Sequence, residues 1–220
     1  MRIGLYGGSF NPVHLGHVGI AKRAIADLGL DRLIVVPANV SPFKTAAATG
    51  TEASRFWTWD RVEMVKAAFR DVEKATVDLR EIERGGVSYA VDTVREIHAE
   101  FSATDSSLQL FFVIGEDSVE GLPRWKDIEE LKKLVTFKAY PRTPESSTAI
   151  RELFEKAGVV LNQDEKLVKA VREGLVRKGG YCPCRLPKLP EFFCPCDEFK
   201  AQLADPTFHG LCHCRLYFKP

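Results

Sequence analysis

The chain has 220 residues, 45% of them hydrophobic and 28% charged, a composition that can bury a substantial core. Its 31 basic and 30 acidic side chains leave a formal charge of +1, so no overall field draws it to nucleic acid or an acidic membrane, and an anionic ligand must be met by local groups. No apolar run approaches a membrane span and MRIGLYGG lacks the regions of a signal peptide, so cytoplasmic residence is expected, where clustered thiols bind metal or do redox chemistry more often than they staple a fold.

In chain order, RIGLYGG (2–8) is a short apolar strand stopped by two glycines. HLGHVGIAKRAIADLGL (14–30) carries Val18, Ala21, Ile25 and Leu28 at helical spacing, with Gly29 as its stop. RLIVVPA (32–38) is a continuous apolar run, as a strand buried on both faces would be. SPFKTAAATGTEASRFWTWD (41–60) is a long polar loop of the kind that forms a lid or binding loop. An amphipathic helix (60–71), a strand (75–81) and a second helix (88–102) follow, then a strand (108–115), a helix (127–134) and a strand (135–140). This alternation predicts an α/β domain with a parallel sheet and right-handed crossovers.

Composition changes at YPRTPESS, which places a linker within 141–148 and divides the chain into domains 1–144 and 145–220. Two helical patterns, STAIRELFEKAG and DEKLVKAVREGLVRKGG, lead into loops that hold every cysteine of the chain. A domain this small and mainly helical has a thin core and usually needs a staple, which a metal cluster would supply.

GGSFNPVHLGH (7–17) is neither a Walker A loop nor a dinucleotide fingerprint, yet it has the parts of an anion site. Gly7 and Gly8 allow a close backbone turn after the first strand, and the following helix points free N–H groups at an anion. His14 and His17, three apart, share one face of its first turn and suit the hydrogen bonding of an oxyanion.

On these residues the first 140 positions resemble bacterial nicotinate-nucleotide adenylyltransferases of the H-x-G-H nucleotidyltransferase superfamily. VPANVSPFK resembles that family's second-strand loop, with Phe43 where histidine is usual and Lys44 matching. RGGVSYAVDTV resembles its Gly-x-Ser-Tyr-Thr-x-Asp-Thr-Leu segment, with Ala90 in place of a threonine near the pyridine pocket, and FVIGEDSVEGLPRW carries over Asp117 and Trp125 as ligand contacts. The resemblance implies a Rossmann-like fold and in-line attack of nicotinate mononucleotide on the α-phosphorus of ATP, assisted by Mg²⁺. His14 and His17 would bind the ATP phosphates and transition-state oxygens. Gly8, Ser9 and Phe10 would line the nucleotide cleft, Lys44 would be a cationic arm, and Trp125 would stack on the nicotinate ring. The family's closing Ile-Ser-Ser-Thr-x-Ile-Arg motif is matched in part by SSTAIR (146–151), but only 20 residues separate it from Trp125, where the family usually has several tens. Thr148 and Arg151 are therefore either a working remnant at the triphosphate or the cap and first turn of the next domain's helix.

The tail holds three Cys-x-Cys pairs, at 182/184, 194/196 and 212/214. Read as residues alone, they admit structural zinc, with His209 and His213 joining all six thiols, inert burial, or an iron–sulfur cluster on four thiolates with two thiols left for redox work. From about 148 onward the chain resembles the catalytic subunit of ferredoxin–thioredoxin reductase, with its Cys-Pro-Cys…Cys-Pro-Cys…Cys-His-Cys signature, although the spacers differ from the plant enzyme's. That resemblance implies a 4Fe–4S cluster on Cys182, Cys194, Cys196 and Cys212. It also implies an active disulfide between Cys184, the exposed attacking thiol, and Cys214, with His213 moving a proton and Arg185 or His213 lowering the attacking thiol's pKa. Ferredoxin or another electron donor and a thioredoxin-like protein would be its partners. Three functions stay open: an adenylyltransferase with a redox tail, a disulfide reductase with a degraded nucleotide domain, and a zinc-stabilised binding protein.

Overall fold

In a computed structural model, which describes residues 1–43, 61–141, 143 and 145–220, the predicted first strand forms as β1 (Arg2–Gly8) and leads into α1 (Leu15–Asp27). Gly29, with φ of 54°, ends that turn of chain before β2 (Arg32–Pro37). After α2 (Arg61–Phe69) come β3 (Ala75–Val77), the short α3 (Arg80–Arg84), α4 (Ala90–Ser102), β4 (Gln109–Gly115), α5 (Ile128–Leu134) and β5 (Thr136–Tyr140). The expected lid at 41–60 lies mostly outside the described residues, and Lys44 with it.

The five strands form one parallel sheet in the order β3-β2-β1-β4-β5. The chain therefore builds outward from β1 to β3, then returns to the other side of β1 for β4 and β5. Strand order reverses between β1 and β4, and in such sheets the crevice beyond the carboxyl ends at the reversal takes ligands. The apolar run in β2 is buried residue after residue, Leu33 to Val36 being at most 2% exposed, as burial on both faces requires. Val91, Val94 and Ile97 of α4, spaced three apart, and Leu131 of α5 pack on Ile3, Leu5, Phe112 and Ile114 of the sheet.

The chain divides into two compact units, the sheet unit holding 1–10, 16–43 and 72–141. The second holds 145–220 together with 11–15 and 61–71, two segments that lie far upstream in sequence. Its elements are α2, α6 (Ser147–Lys156), β6 (Val160–Leu161), α7 (Glu165–Arg177), α8 (Asp197–Ala204), β7 (Gly210–Leu211) and β8 (Tyr217–Lys219). Ser146 caps α6 by accepting from the Ala149 N–H, and Asp164 caps α7 by accepting from Lys166 and Leu167. The mainly helical expectation for the tail omits a small antiparallel sheet, ordered β6-β8-β7.

One core holds this unit together. Ile150 and Phe154 of α6, Val168, Val171 and Leu175 of α7, and Phe199 and Leu203 of α8 surround five buried cysteines and Tyr217. Phe199 stacks on Tyr217 at 5.9 Å and Phe154 meets it edge-on at 5.1 Å. Where α7 runs into the first cysteine pair, Gly180 has φ of 90°, and a Cβ there would lie 2.7 Å from the Phe193 ring.

Candidate active site

The carboxyl ends of the central strands open into a cavity of about 730 Å³ within the sheet unit. Gly7, Gly8 and Ser9 line it at the end of β1, Ala38 follows β2, Tyr89 and Ala90 come from the start of α4, and Trp125 comes from the segment after β4. A Cβ on Gly8 would lie 3.0 Å from the Phe10 ring, so this position is also tight against that side chain. Phe10 is absent from the described lining. It is a buried residue at φ of 44°, a strained conformation for a residue with a Cβ, held edge-on to Tyr6 at 5.5 Å and to His17 at 5.0 Å. Its ring packs against the His17 imidazole.

His17 lies in the first turn of α1, and His14 immediately precedes that helix; both are half-buried. Asp117 sits in the short 3₁₀ turn Glu116–Ser118 after β4, its carboxylate so close to the backbone that a Cβ on Gly115 would lie 2.5 Å from Oδ1. Burial first, and then the Asp117 charge, push the Tyr6 hydroxyl well above its ordinary pKa. Trp125, half-buried, meets Phe112 edge-on at 5.6 Å and Phe43 at 6.4 Å.

One wall depends on a buried carboxyl that the sequence reading passed over. Glu81 of α3 accepts the Thr93 hydroxyl at 2.5 Å and also the Ser88 hydroxyl, whose oxygen in turn accepts the Asn39 N–H at 2.8 Å. These bonds tie the segment ahead of Tyr89 to the loop after β2. Burial raises the Glu81 pKa, the two hydroxyl bonds opposing it. The strand expected over 75–81 stops at Val77, and Glu81 belongs to α3 instead.

The SSTAIR segment also bonds upstream. The Ser147 hydroxyl donates to the Pro12 carbonyl at 2.8 Å, and the Arg151 guanidinium donates to the Asn11 carbonyl and, at 3.1 Å, to Thr148 Oγ1. Two side chains of α6 thus hold the backbone just ahead of His14. Thr148 orients Arg151 from one turn back.

In the tail, Cys182, Cys194, Cys196, Cys212 and Cys214 are buried and Cys184 is exposed; none forms a disulfide. The Cys212 and Cys214 sulfurs lie 3.6 Å apart. The thiol expected to be lowered was Cys184, and here the structure corrects the sequence: desolvation and neighbouring Cys182 push Cys184 up. Cys182 and Cys212 are the two pulled down, to about 6 and about 7, because the Cys214 thiol hydrogen-bonds to each, with His213 and Arg185 adding smaller effects at Cys182. His213 is exposed, and His209 Nδ1 bonds the Pro220 carbonyl at 2.6 Å. In donor chemistry the six thiols suit a thiolate-ligated cluster. In arrangement they are not gathered for one, since no group of three or more His, Cys, Asp and Glu among the described residues could hold a metal ion as it stands.

The cytidylyltransferase-like family profile matches residues 5–171. The probable nicotinate-nucleotide adenylyltransferase of Shouchella clausii is 39% identical over 168 residues, covering 76% of this chain and 82% of the relative. That of Aliarcobacter butzleri is 35% identical over 152 residues, covering 69% of this chain and 78% of its own. The chain belongs to the nicotinate-nucleotide adenylyltransferase family. A third member, from Listeria innocua, is 34% identical over 190 residues and is matched across 95% of its length by 78% of this chain. The family span crosses the expected boundary at 144–145 and takes in SSTAIR and all of α6. It ends before the first cysteine, so the thiol tail lies outside it.

Proposed function

We propose that the chain transfers the adenylyl group of ATP to nicotinate mononucleotide, giving deamido-NAD and pyrophosphate. The observation that carries this reading is the cavity at the strand-order reversal, lined by the glycine turn after β1 and by aromatic rings, in a chain of this family. A glycine turn suits phosphates, and the Trp125 indole suits a pyridine ring.

In the step proposed, an oxygen of the mononucleotide phosphate attacks the α-phosphorus of ATP. A P–O bond forms there as the bond to the departing pyrophosphate breaks. No covalent enzyme intermediate is needed, so the protein's work is positioning and charge stabilisation. His14 and His17 donate hydrogen bonds to the phosphate oxygens as charge builds. The α6 contacts to Asn11 and Pro12 fix the chain that carries His14. Mg²⁺ would be brought by the triphosphate, whose charge it would partly neutralise, so no dedicated protein cage would be required of the chain. Incubating the purified chain with ATP and nicotinate mononucleotide tests the reading: pyrophosphate and a dinucleotide form together, and formation of neither refutes it.

For the tail we propose a second reading, favoured by the exposure of Cys184 against five buried thiols. Cys182, Cys194, Cys196 and Cys212 would hold a 4Fe–4S cluster, with Cys184 and Cys214 as a redox pair served by ferredoxin or another donor and acting on a thioredoxin-like protein. Such a cluster supplies single-electron storage beside a two-electron disulfide. Metal binding and folding are coupled in small domains, so ligands can close up on loading. Anaerobic purification with iron, sulfide and zinc analysis decides it: iron and sulfide support the cluster, and zinc or no metal removes it.

A further inference from the structure

Ala90 has no hydroxyl to offer at the position where the related family carries threonine, which leaves open how a pyridine carboxylate would be told from a carboxamide. We infer that Arg124 makes this distinction: its guanidinium is the group that receives the carboxylate of the substrate's pyridine ring. The inference rests on the adenylyl-transfer reading and names a specificity-determining residue within it.

Two cations, Arg124 and Lys126, are among the described residues that line the cavity, and they are in different states. Lys126 is committed, its ammonium 3.3 Å from the Asp92 carboxylate and 4.6 Å from the centroid of the Tyr89 ring. Arg124 makes no ion pair with any described residue. Its guanidinium carbon stands 5.9 Å from the Phe43 ring centroid, a distance at which an aromatic face holds a cation while leaving its N–H groups to others. The lining carboxyl, Glu81, is occupied by the Thr93 and Ser88 hydroxyls.

Position separates a ring carboxylate from the other anion of the substrate, its phosphate. A succession of rings leads away from the glycine turn. A Cβ on Gly7 would touch Phe112 at 3.4 Å, Phe112 meets Trp125 at 5.6 Å, Trp125 faces Phe43 at 6.4 Å, and Arg124 lies over Phe43. Arg124 thus belongs to the aromatic end, where a pyridine ring would stack on Trp125, and the phosphates belong to the glycine end. The chemistry is also one-sided. A guanidinium only donates hydrogen bonds, so it pairs with both oxygens of a carboxylate, whereas the NH₂ of a carboxamide would set donor against donor.

The test compares wild type, Arg124→Gln and Arg124→Lys with nicotinate mononucleotide and nicotinamide mononucleotide, by steady-state kinetics and by calorimetric binding, after circular dichroism and thermal melting show all three folded. Loss of one charge-assisted pair is expected to lower kcat/KM for the acid in Arg124→Gln by about 10- to 100-fold, mostly through KM. The amide loses far less, so the acid-to-amide ratio collapses, and Arg124→Lys recovers part of it. Equal losses with both mononucleotides would place Arg124 on the shared ribose phosphate and overturn the inference, as would no loss with either. If wild type turns over neither compound, adenylyl transfer fails as the reaction, and calorimetry still decides the inference. Weaker binding of the acid alone in Arg124→Gln upholds it; failure of wild type to bind the acid overturns it.

Discussion

Removing Arg151 tests whether α6 serves the nucleotidyl-transfer machinery or only the packing of the second unit. Its guanidinium donates to the Asn11 carbonyl, and Ser147 donates to the next carbonyl, Pro12, at 2.8 Å. A charged hydrogen bond is worth about 1.5–3 kcal/mol and a neutral one about 0.5–1.5. Arg151 is half-buried, so the lower figure applies, ~1.5 kcal/mol of restraint on the chain ahead of His14. If that restraint holds His14 for the transition state, Arg151→Ala lowers kcat by about tenfold and leaves the KM for ATP within about twofold. Ser147→Ala, losing about 1 kcal/mol, lowers kcat by about fivefold. The double variant falls short of the product, because both bonds restrain one stretch of backbone. Continuous pyrophosphate detection, with ATP varied at saturating mononucleotide, separates the two constants, and a thermal melt of each variant runs beside it. A large rise in the KM for ATP at constant kcat would move Arg151 onto the triphosphate itself. A lowered melting point with both constants unchanged would refute the positioning argument, leaving SSTAIR as a helix start and nothing more.

Three further outcomes are expected. His17→Ala lowers adenylyl transfer by about 10²- to 10³-fold, the scale for losing one transition-state donor, and unchanged turnover removes His17 from the step. Glu81 has a raised carboxyl pKa, so the folded protein holds that proton more tightly than the unfolded chain does. The stability this contributes is full below the ordinary carboxylate range and is lost as pH rises through the raised value. Melting points from pH 4 to 8 should therefore improve for Glu81→Gln relative to wild type as pH rises, and parallel curves would contradict the burial argument. In the tail, Cys184→Ser should keep its iron while Cys194→Ser, which removes a buried thiol, loses iron and structure together. Equal metal losses would sink the four-plus-two division of the thiols.

Much of the sheet unit was legible in the residues because its signals are local. An apolar run such as LIVV needs burial on both faces wherever it sits, and β2 is buried throughout. Three-residue spacing in α4 selects the face that meets the sheet, and the glycine pair followed by H-x-G-H marks a strand giving way to a helix whatever surrounds it. The six thiols in three pairs stand out from spacing alone, but spacing does not say what they bind. What the chain order hides is which distant segments share a core and which charges find partners. Residues 11–15 and 61–71 group with the tail across more than seventy positions, and no linear change in composition marks that. Lys126 and Arg124 look alike in sequence, yet Asp92, in the first turn of α4, neutralises the first and leaves the second over an aromatic face. The thiols lowered by their surroundings are Cys182 and Cys212, not Cys184, because acidity follows which sulfurs the Cys214 thiol hydrogen-bonds, and packing brings Cys182 to Cys214 from across more than thirty positions. Period and composition are properties of a stretch of chain, whereas hydrogen bonds and ion pairs belong to atoms that folding brings together.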